Sequence, residues 1–181
     1  LIHAAAGGVG LIACQWAKAL GVTVIGTVST DEKAALAKAH GCDHTIVSSR
    51  EDIAERVKEI TDGKGVPVVY DSIGADTFET SLASLSTRGM MVSFGQSSGP
   101  ITSFNPAVLA AGGSLYYTRP GLANYIATRD ELELSGTRLF DMVGSGKVRI
   151  EVNQTYPLVE TEQAHRDLEG RKTTGSTVLL P

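Results

Sequence analysis

Short, almost continuously apolar runs alternate along the first two thirds of the chain with stretches whose apolar positions recur every three to four residues. The runs predict strands over Leu1 to Ala4, Val22 to Val28, His44 to Val47, Val66 to Asp71, Met90 to Phe94 and Ser114 to Thr118. Strands apolar at successive positions are those covered on both faces, as in parallel sheets. Between the first and second, Ile12, Trp16 and Leu20 repeat at four-residue spacing and stop at Gly21, which suits the left-handed position after a helix. Asp31 to Ala39 ends the same way at Gly41. Ser49 is a candidate N-cap with Asp52 in the first turn, ahead of Ile53, Val57 and Ile60, and Phe78, Leu82 and Leu85 mark a further helix before Gly89. One strand plus one crossover helix at each step implies a parallel, doubly wound α/β sheet of Rossmann type with six strands and helices on both faces.

After the sixth strand, Arg119-Pro120-Gly121 breaks the rhythm. Thr128 and Glu131 then form a capping box before a helix with Leu132, Leu139 and Val143 expected inward and an end near Gly144. From Lys147 the alternation is lost: an extended stretch, a helix around Glu162 to Leu168 and a strand from Ser176 to Leu180. This divides the chain into residues 1–146 and 147–181, the second belonging to a different structural unit and expected to pack poorly by itself. The first residue falls inside an apolar run, so the chain reads as part of something longer.

Composition narrows the function classes. The chain has 181 residues, 42% hydrophobic and 20% charged, enough for a core without disulfides or a structural metal. Its 16 basic and 20 acidic side chains give a net charge of −4, with no basic run to neutralise a phosphate backbone, which disfavours nucleic acid as a partner. Cys14 and Cys42 lack metal or redox spacing and read as buried free thiols of a reducing compartment, the cytoplasm. No apolar stretch reaches the length of a membrane span. The four histidines share no metal-ligand spacing, and no nucleophile–base set or carboxylate pair supports hydrolysis, so chemistry falls to a cofactor.

That cofactor has a candidate site. Ala5-Ala6-Gly7-Gly8-Val9-Gly10 follows the first strand and opens the first helix, a variant of the dinucleotide fingerprint in its proper context. Gly7 lets backbone approach a pyrophosphate, Gly10 lets helix and strand pack closely, and the helix N-terminus attracts the phosphates. An NAD site places a carboxylate at the end of the second strand. Ser29 stands there instead, with Lys33 one turn into the next helix, a pair suited to the 2′-phosphate of NADP(H), although Asp31 and Glu32 beside it weaken the positive field. Asp71 reads as a turn-capping carboxylate. Across the sheet edge, the loop from Phe94 to Gly99 is a candidate nicotinamide contact.

His3 to Gly10, Gln15-Trp16-Ala17-Lys18, Val69 to Gly74, Ser93 to Gly99 and Ser114 to Pro120 together make a recognisable pattern. The chain resembles, over essentially its whole length, the NADPH:quinone oxidoreductases of zeta-crystallin type in the medium-chain dehydrogenase/reductase superfamily. The resemblance implies an N-terminal barrel-like catalytic domain preceding this cofactor domain, a chain end that returns to it, and zinc-free reduction of quinones by NADPH. It implies contacts from Gly8 and Val9 to the pyrophosphate, from Ser29 and Lys33 to the 2′-phosphate, from Ser72, Phe94, Gly95, Gln96 and Ser97 to the nicotinamide half, and from Arg171 in the tail to the cofactor. Ser48 stands where the family often has a tyrosine near the 2′-phosphate. Substrate-facing residues are implied to lie outside this chain, so no catalytic residue is named in it. A homodimer through the edge strand Ser114 to Thr118 is also implied, Tyr116 and Tyr117 suiting burial. The alternatives are an enoyl or alkenal reductase of the same superfamily and a non-enzymatic, crystallin-like nucleotide- or RNA-binding protein.

Overall fold

The computed structural model describes every residue from Leu1 to Pro181. Its strands are β1 (Ile25–Val28), β2 (His44–Val47), β3 (Val66–Asp71), β4 (Leu85–Ser93), β5 (Tyr116–Thr118), β6 (Val152–Pro157) and β7 (Ser176–Leu180). Its helices are α1 (Gly8–Ala19), α2 (Asp31–Ala39), α3 (Ile53–Ile60), α4 (Phe78–Ala83), α5 (Ala107–Ala111), α6 (Leu122–Tyr125), α7 (Arg129–Gly144) and α8 (Thr161–Glu169).

β1 pairs with β2, and β3 with β4 and β4 with β5, all in parallel. The opening segment, residues 1–5, joins the two halves. Ile2 bridges Gly26 on one side and Tyr70 on the other, and Ala5 N–H donates to the Thr27 carbonyl at 3.0 Å. The spatial order is therefore β2, β1, opening segment, β3, β4, β5, with the direction of winding reversing at the opening segment.

Two cores lie on opposite faces, and alternate strand residues divide between them. Val24, Val28 and Val47 pack with Cys14, Ala34 and Ala37 of α1 and α2; Ile25 and Ile46 pack with Val57, Val69, Phe78, Met91 and Leu115. The sheet is doubly wound as the periodicity implies. Phe78, Phe104 and Tyr117 close the second core with ring centroids 5.1 to 6.1 Å apart.

Several local expectations are corrected. Asp52, not Ser49, caps α3, its carboxylate accepting from Glu55 N–H at 2.9 Å, while the Ser49 hydroxyl donates to the Ser29 carbonyl. Leu85 belongs to β4, which begins five residues before the expected Met90, because Leu85 pairs with Val66 rather than extending α4. Ser114 has φ +59° and lies outside β5, and Tyr116 is 57% exposed, so only Tyr117 of the aromatic pair packs inward. The capping box of α7 is present, but no residue of that helix is buried: Leu132, Leu139 and Phe140 stay exposed, while Met142 and Val143 near its end are half-buried.

The tail also departs from expectation. It forms a parallel β6–α8–β7 unit that is bonded back to the body: Gln15 exchanges hydrogen bonds with the backbone of Arg149, and Gly175 N–H donates to the Ala6 carbonyl at 3.1 Å.

Met90 and Met91 provide a test of this sheet, because they sit on opposite faces with Met91 fully buried and Met90 38% exposed. Met91→Ala is expected to lower the unfolding free energy by about 2 to 5 kcal/mol, and Met90→Ala by about 1 kcal/mol or less. Urea titration of both variants checks this; equal losses would contradict the two-faced core.

Candidate functional site

The residues expected to hold a cofactor lie at or within a turn of the carboxyl ends of the sheet strands, or on the tail beside them. At the centre, the chain turns after the opening segment with Gly7 N–H donating to the Ala4 carbonyl at 2.9 Å, and α1 begins at once. Gly7 is its N-cap, with no side-chain cap and no acidic residue in the first turn. The first helical bond, Leu11 N–H to Gly7 carbonyl at 2.9 Å, leaves the N–H groups of Gly8, Val9 and Gly10 outside the ladder. A Cβ on Gly10 would stand 2.3 Å from the Ala4 oxygen, so only glycine lets the helix start this close to the strand. The result is an uncapped, positively polarised helix end open to an anion such as a pyrophosphate.

The tail lies alongside. Gly175 bridges Gly7, and a Cβ on Gly8 would meet the Gly175 oxygen at 3.1 Å. Arg171 takes φ +58°, and its carbonyl accepts from the Lys33 ammonium at 2.7 Å. Lys33 keeps two further N–H donors. Ser29, Lys33 and Arg171 thus converge at the end of β1, although Arg171 is 138 residues away from Lys33. Ser48 is at the neighbouring strand end, and its hydroxyl donates to the Val28 carbonyl at 3.1 Å, so its single proton is spent on the backbone.

On the other side of α1, Phe94 and Gly95 N–H both reach the Asp71 carbonyl, and Ser97 N–H donates to the Ser72 carbonyl at 3.2 Å. A Cβ on Gly95 would lie 2.5 Å from the Ser72 oxygen. Ser72, Phe94, Gly95, Gln96 and Ser97 are therefore one packed pair of loops. Arg119, which the sequence reading passed over, braces them: its guanidinium donates to the Ser93 and Gly95 carbonyls at 2.9 and 3.0 Å and to Gln96 Oε1 at 3.1 Å. A cavity of about 160 Å³ opens there, lined by Gly74, Ser93, Gly95, Gln96, Tyr117 and Arg119 among others.

Beneath the site runs a buried polar chain. Asp71 Oδ1 accepts from Ile73 and Gly74 N–H, the turn-capping role expected of it, and Oδ2 accepts from the hydroxyls of Thr77 at 2.8 Å and Ser81 at 2.6 Å. Because Ser81 gives its proton to Asp71, its oxygen accepts from His3 Nε2 at 2.9 Å. His3 Nδ1 in turn accepts from Thr27 at 3.0 Å. The bond to Ser81 places a proton on Nε2, and burial, which disfavours the imidazolium, leaves Nδ1 as the acceptor and His3 neutral. Burial pushes the Asp71 carboxyl up, but the Ser81 hydrogen bond, His3, the Gly74 N–H and Thr77 outweigh it and leave it below the ordinary aspartate value. Burial holds the His3 imidazole below its ordinary value against the pull of Asp71, 3.9 Å away.

Residues 8–122, more than half of the chain, match the family model described as zinc-binding dehydrogenase. The chain belongs to that family. It is 57% identical over its full length to a quinone oxidoreductase of Pseudomonas aeruginosa, covering 56% of that protein. It is 52% identical, again over its full length, to a 2-haloacrylate reductase of a Burkholderia species, covering 55% of it. The crystal structure of Escherichia coli quinone oxidoreductase complexed with NADPH superimposes with a TM-score of 0.96 at 54% identity, over 99% of this chain and 56% of that one. The chain thus spans about half the length of the relatives it matches. The family name speaks of zinc, but no three His, Cys, Asp or Glu side chains of this chain cluster as ligands would, so its residues do not fit a metal.

For this member of the family, the buried chain from His3 to Asp71 generates a pH dependence. Both groups titrate lower in the folded protein than in the unfolded one, so the unfolded state binds more protons on acidification and stability is lost. The His3 contribution falls away as pH drops through and below the ordinary histidine value of 6.5, and that of Asp71 only below the ordinary aspartate value of 3.8. Urea denaturation at about pH 7.5 and about pH 5.5 should show a drop in stability that shrinks in His3→Gln. An unchanged drop in the variant would mean that His3 does not carry it.

Proposed function

We propose that the chain is the NADPH-holding part of a longer oxidoreductase that passes hydride from NADPH to a quinone. The observation that carries this reading is the convergence of an uncapped helix N-terminus with a strand end that bears Ser29, Lys33 and Arg171 where an NAD site would present a carboxylate. When bound, the cofactor supplies hydride from its nicotinamide ring. The work of this chain is to bind and orient. Gly7 gives the pyrophosphate its close approach, and the N–H groups of Gly8, Val9 and Gly10 receive its charge. Lys33 and Arg171 take the 2′-phosphate with Ser29. Ser48, its proton spent, contributes an acceptor and a small surface where a tyrosine ring is usual. Ser72, Phe94, Gly95, Gln96 and Ser97, braced by Arg119, line the nicotinamide half.

The chain offers one wall of an acceptor site, and hydride transfer needs the acceptor held about 3 to 3.5 Å from the ring; we assign the second wall to the remainder of the longer protein. Residues 147–181 are part of that unit in this reading, and residues 1–146 form the cofactor domain. The relative named for 2-haloacrylate supports a second reading, in which the acceptor is an activated alkene. Nothing in the relatives' names favours the non-enzymatic alternative. No helix is long and apolar enough to cross a membrane, and the free thiols suit the cytoplasm.

Cofactor choice tests the proposal. Calorimetric titration of the chain at low salt should give tighter binding of NADPH than of NADH. Lys33→Ala should erase on the order of a tenfold to hundredfold of that preference, and Ser29→Asp should reverse it. Equal affinities in the unmutated chain would overturn it.

Homodimer formation through β5 is a further part of the proposal, since this edge strand leaves one row of backbone groups unpaired and shows Tyr116 to solvent. Light scattering at micromolar concentration should give twice the chain mass, and Tyr116→Lys, which puts a charge on the exposed edge, should return it to the monomer. A monomeric mass at all concentrations would refute the dimer.

A further inference from the structure

The end of β1 carries an electrostatic contradiction that the structure resolves. Asp31 and Glu32 occupy the first turn of α2, where carboxylates favour the helix dipole. Yet Asp31 lies two residues from both Ser29 and Lys33, beside the position proposed for a 2′-phosphate. A free carboxylate there repels that group, and the preference for NADPH would be blunted by the residue that helps to start the helix.

Asp31 is not free. The guanidinium of Arg50 meets it end-on, Nη1 to Oδ2 at 2.7 Å and Nη2 to Oδ1 at 2.6 Å, the two-pronged geometry that fixes both side chains. The pairing does not follow from sequence neighbourhood, since 19 positions separate the two residues. It follows from the loop after β2. Ser48 is bonded through its N–H and its hydroxyl to the Val28 carbonyl, Ser49 donates to the Ser29 carbonyl at 3.1 Å, and Arg50 N–H is tied to the Val47 carbonyl at 3.0 Å. These bonds lay residues 48–50 across the end of β1 and deliver the guanidinium to the first turn of α2. Glu32, beside it, is exposed and makes no ion pair, the only basic groups at ion-pair distance from either acid being those of Arg50 on Asp31. Asp31 is thus the carboxylate for which the fold supplies a dedicated counterion.

We infer that Arg50 is a specificity-determining residue of the cofactor site, acting as the counterion that makes Asp31 compatible with a 2′-phosphate. It acts through Asp31, not as a phosphate ligand. The inference rests on the reading of this strand end as an NADP(H) site and names the residue that protects its selectivity. The two consequences of the pair are separable: the helix keeps an acid at its N-terminus, and the phosphate meets an ion pair in place of a net negative charge.

The test is a mutant cycle read by calorimetric titration of the full chain with NADPH and with NADH. Arg50→Ala should weaken NADPH about threefold to tenfold at low salt and leave NADH unchanged, as expected for one exposed charge within a few ångströms to a nanometre of a dianion. Arg50→Lys should retain most of the preference. In an Asp31→Asn background, Arg50→Ala should cost NADPH clearly less, because no freed carboxylate is left beside the phosphate, and the Arg50→Ala loss should fade in about 0.5 M salt. Thermal melting should show all variants folded, since both side chains are exposed. The inference is overturned if Arg50→Ala affects both cofactors equally, if it affects neither, or if its loss persists undiminished beside Asp31→Asn, which would make Arg50 a direct ligand. An unmutated chain with no preference for NADPH overturns the reading beneath the inference, an outcome told apart because it appears before any substitution is made.

Discussion

The architecture of the site depends on one close approach. At Gly10 the first turn of α1 comes so near the opening segment that any Cβ would collide with the Ala4 and Ala5 backbone. The same tightness recurs one strand over, where a Cβ on Gly26 would lie 2.6 Å from the Ala5 Cβ and 2.7 Å from the Cys42 sulfur. These two absences of a side chain let helix, central segment and β1 stack without a spacer. Gly8 then leaves room for the Gly175 carbonyl, so the tail can run against the fingerprint and bring Arg171 to Lys33.

The second support is polar and buried. Asp71, fully enclosed, joins the Ser72–Gly74 turn to α4, and through Ser81 and His3 it is connected to Thr27 of β1. Buried polar groups cost free energy unless each is satisfied, and every proton in this chain has one assignable acceptor. The cost is therefore met, and the geometry is over-determined: the loops at the two sides of α1 cannot shift independently without breaking a bond in an enclosed space. That suits a site in which two ends of one long ligand must be held at a fixed separation.

Much of this was legible in the sequence, for physical reasons that also explain the failures. Short runs rich in apolar and β-branched residues mark strands whether or not both faces are covered, and His44 to Val47, Val66 to Asp71 and Ser176 to Leu180 fall where the pattern put them. The fingerprint was legible because glycine spacing encodes a steric limit. Arg119 and Arg50 were not, since an arginine's partners across the sheet edge are set by tertiary structure and leave no local trace. The cap of α3 was misread because Ser49 and Asp52 are both good caps, and only the bond from Ser49 to Ser29 decides between them. Helix α7 shows the converse. Its sequence marks a stripe, but periodicity cannot say what covers it, and Leu132 and Leu139 stay exposed while Val143 is half-buried.

The relatives add a constraint on where acceptor specificity resides. A quinone oxidoreductase and a 2-haloacrylate reductase match this chain at 57% and 52% identity over its whole length, although their names give chemically unlike acceptors, one a planar ring and the other a small anion. A domain whose glycine contacts, polar chain and strand ends are built around a dinucleotide has no reason to differ between the two. Discrimination between acceptors rests on contacts at the reacting centre, and on the proposed reading this chain brings to it Phe94 and Gln96 together with backbone and the small side chains of Ser72, Gly95 and Ser97. On the proposed reading, a surface of that kind leaves the choice between acceptors to residues outside this chain.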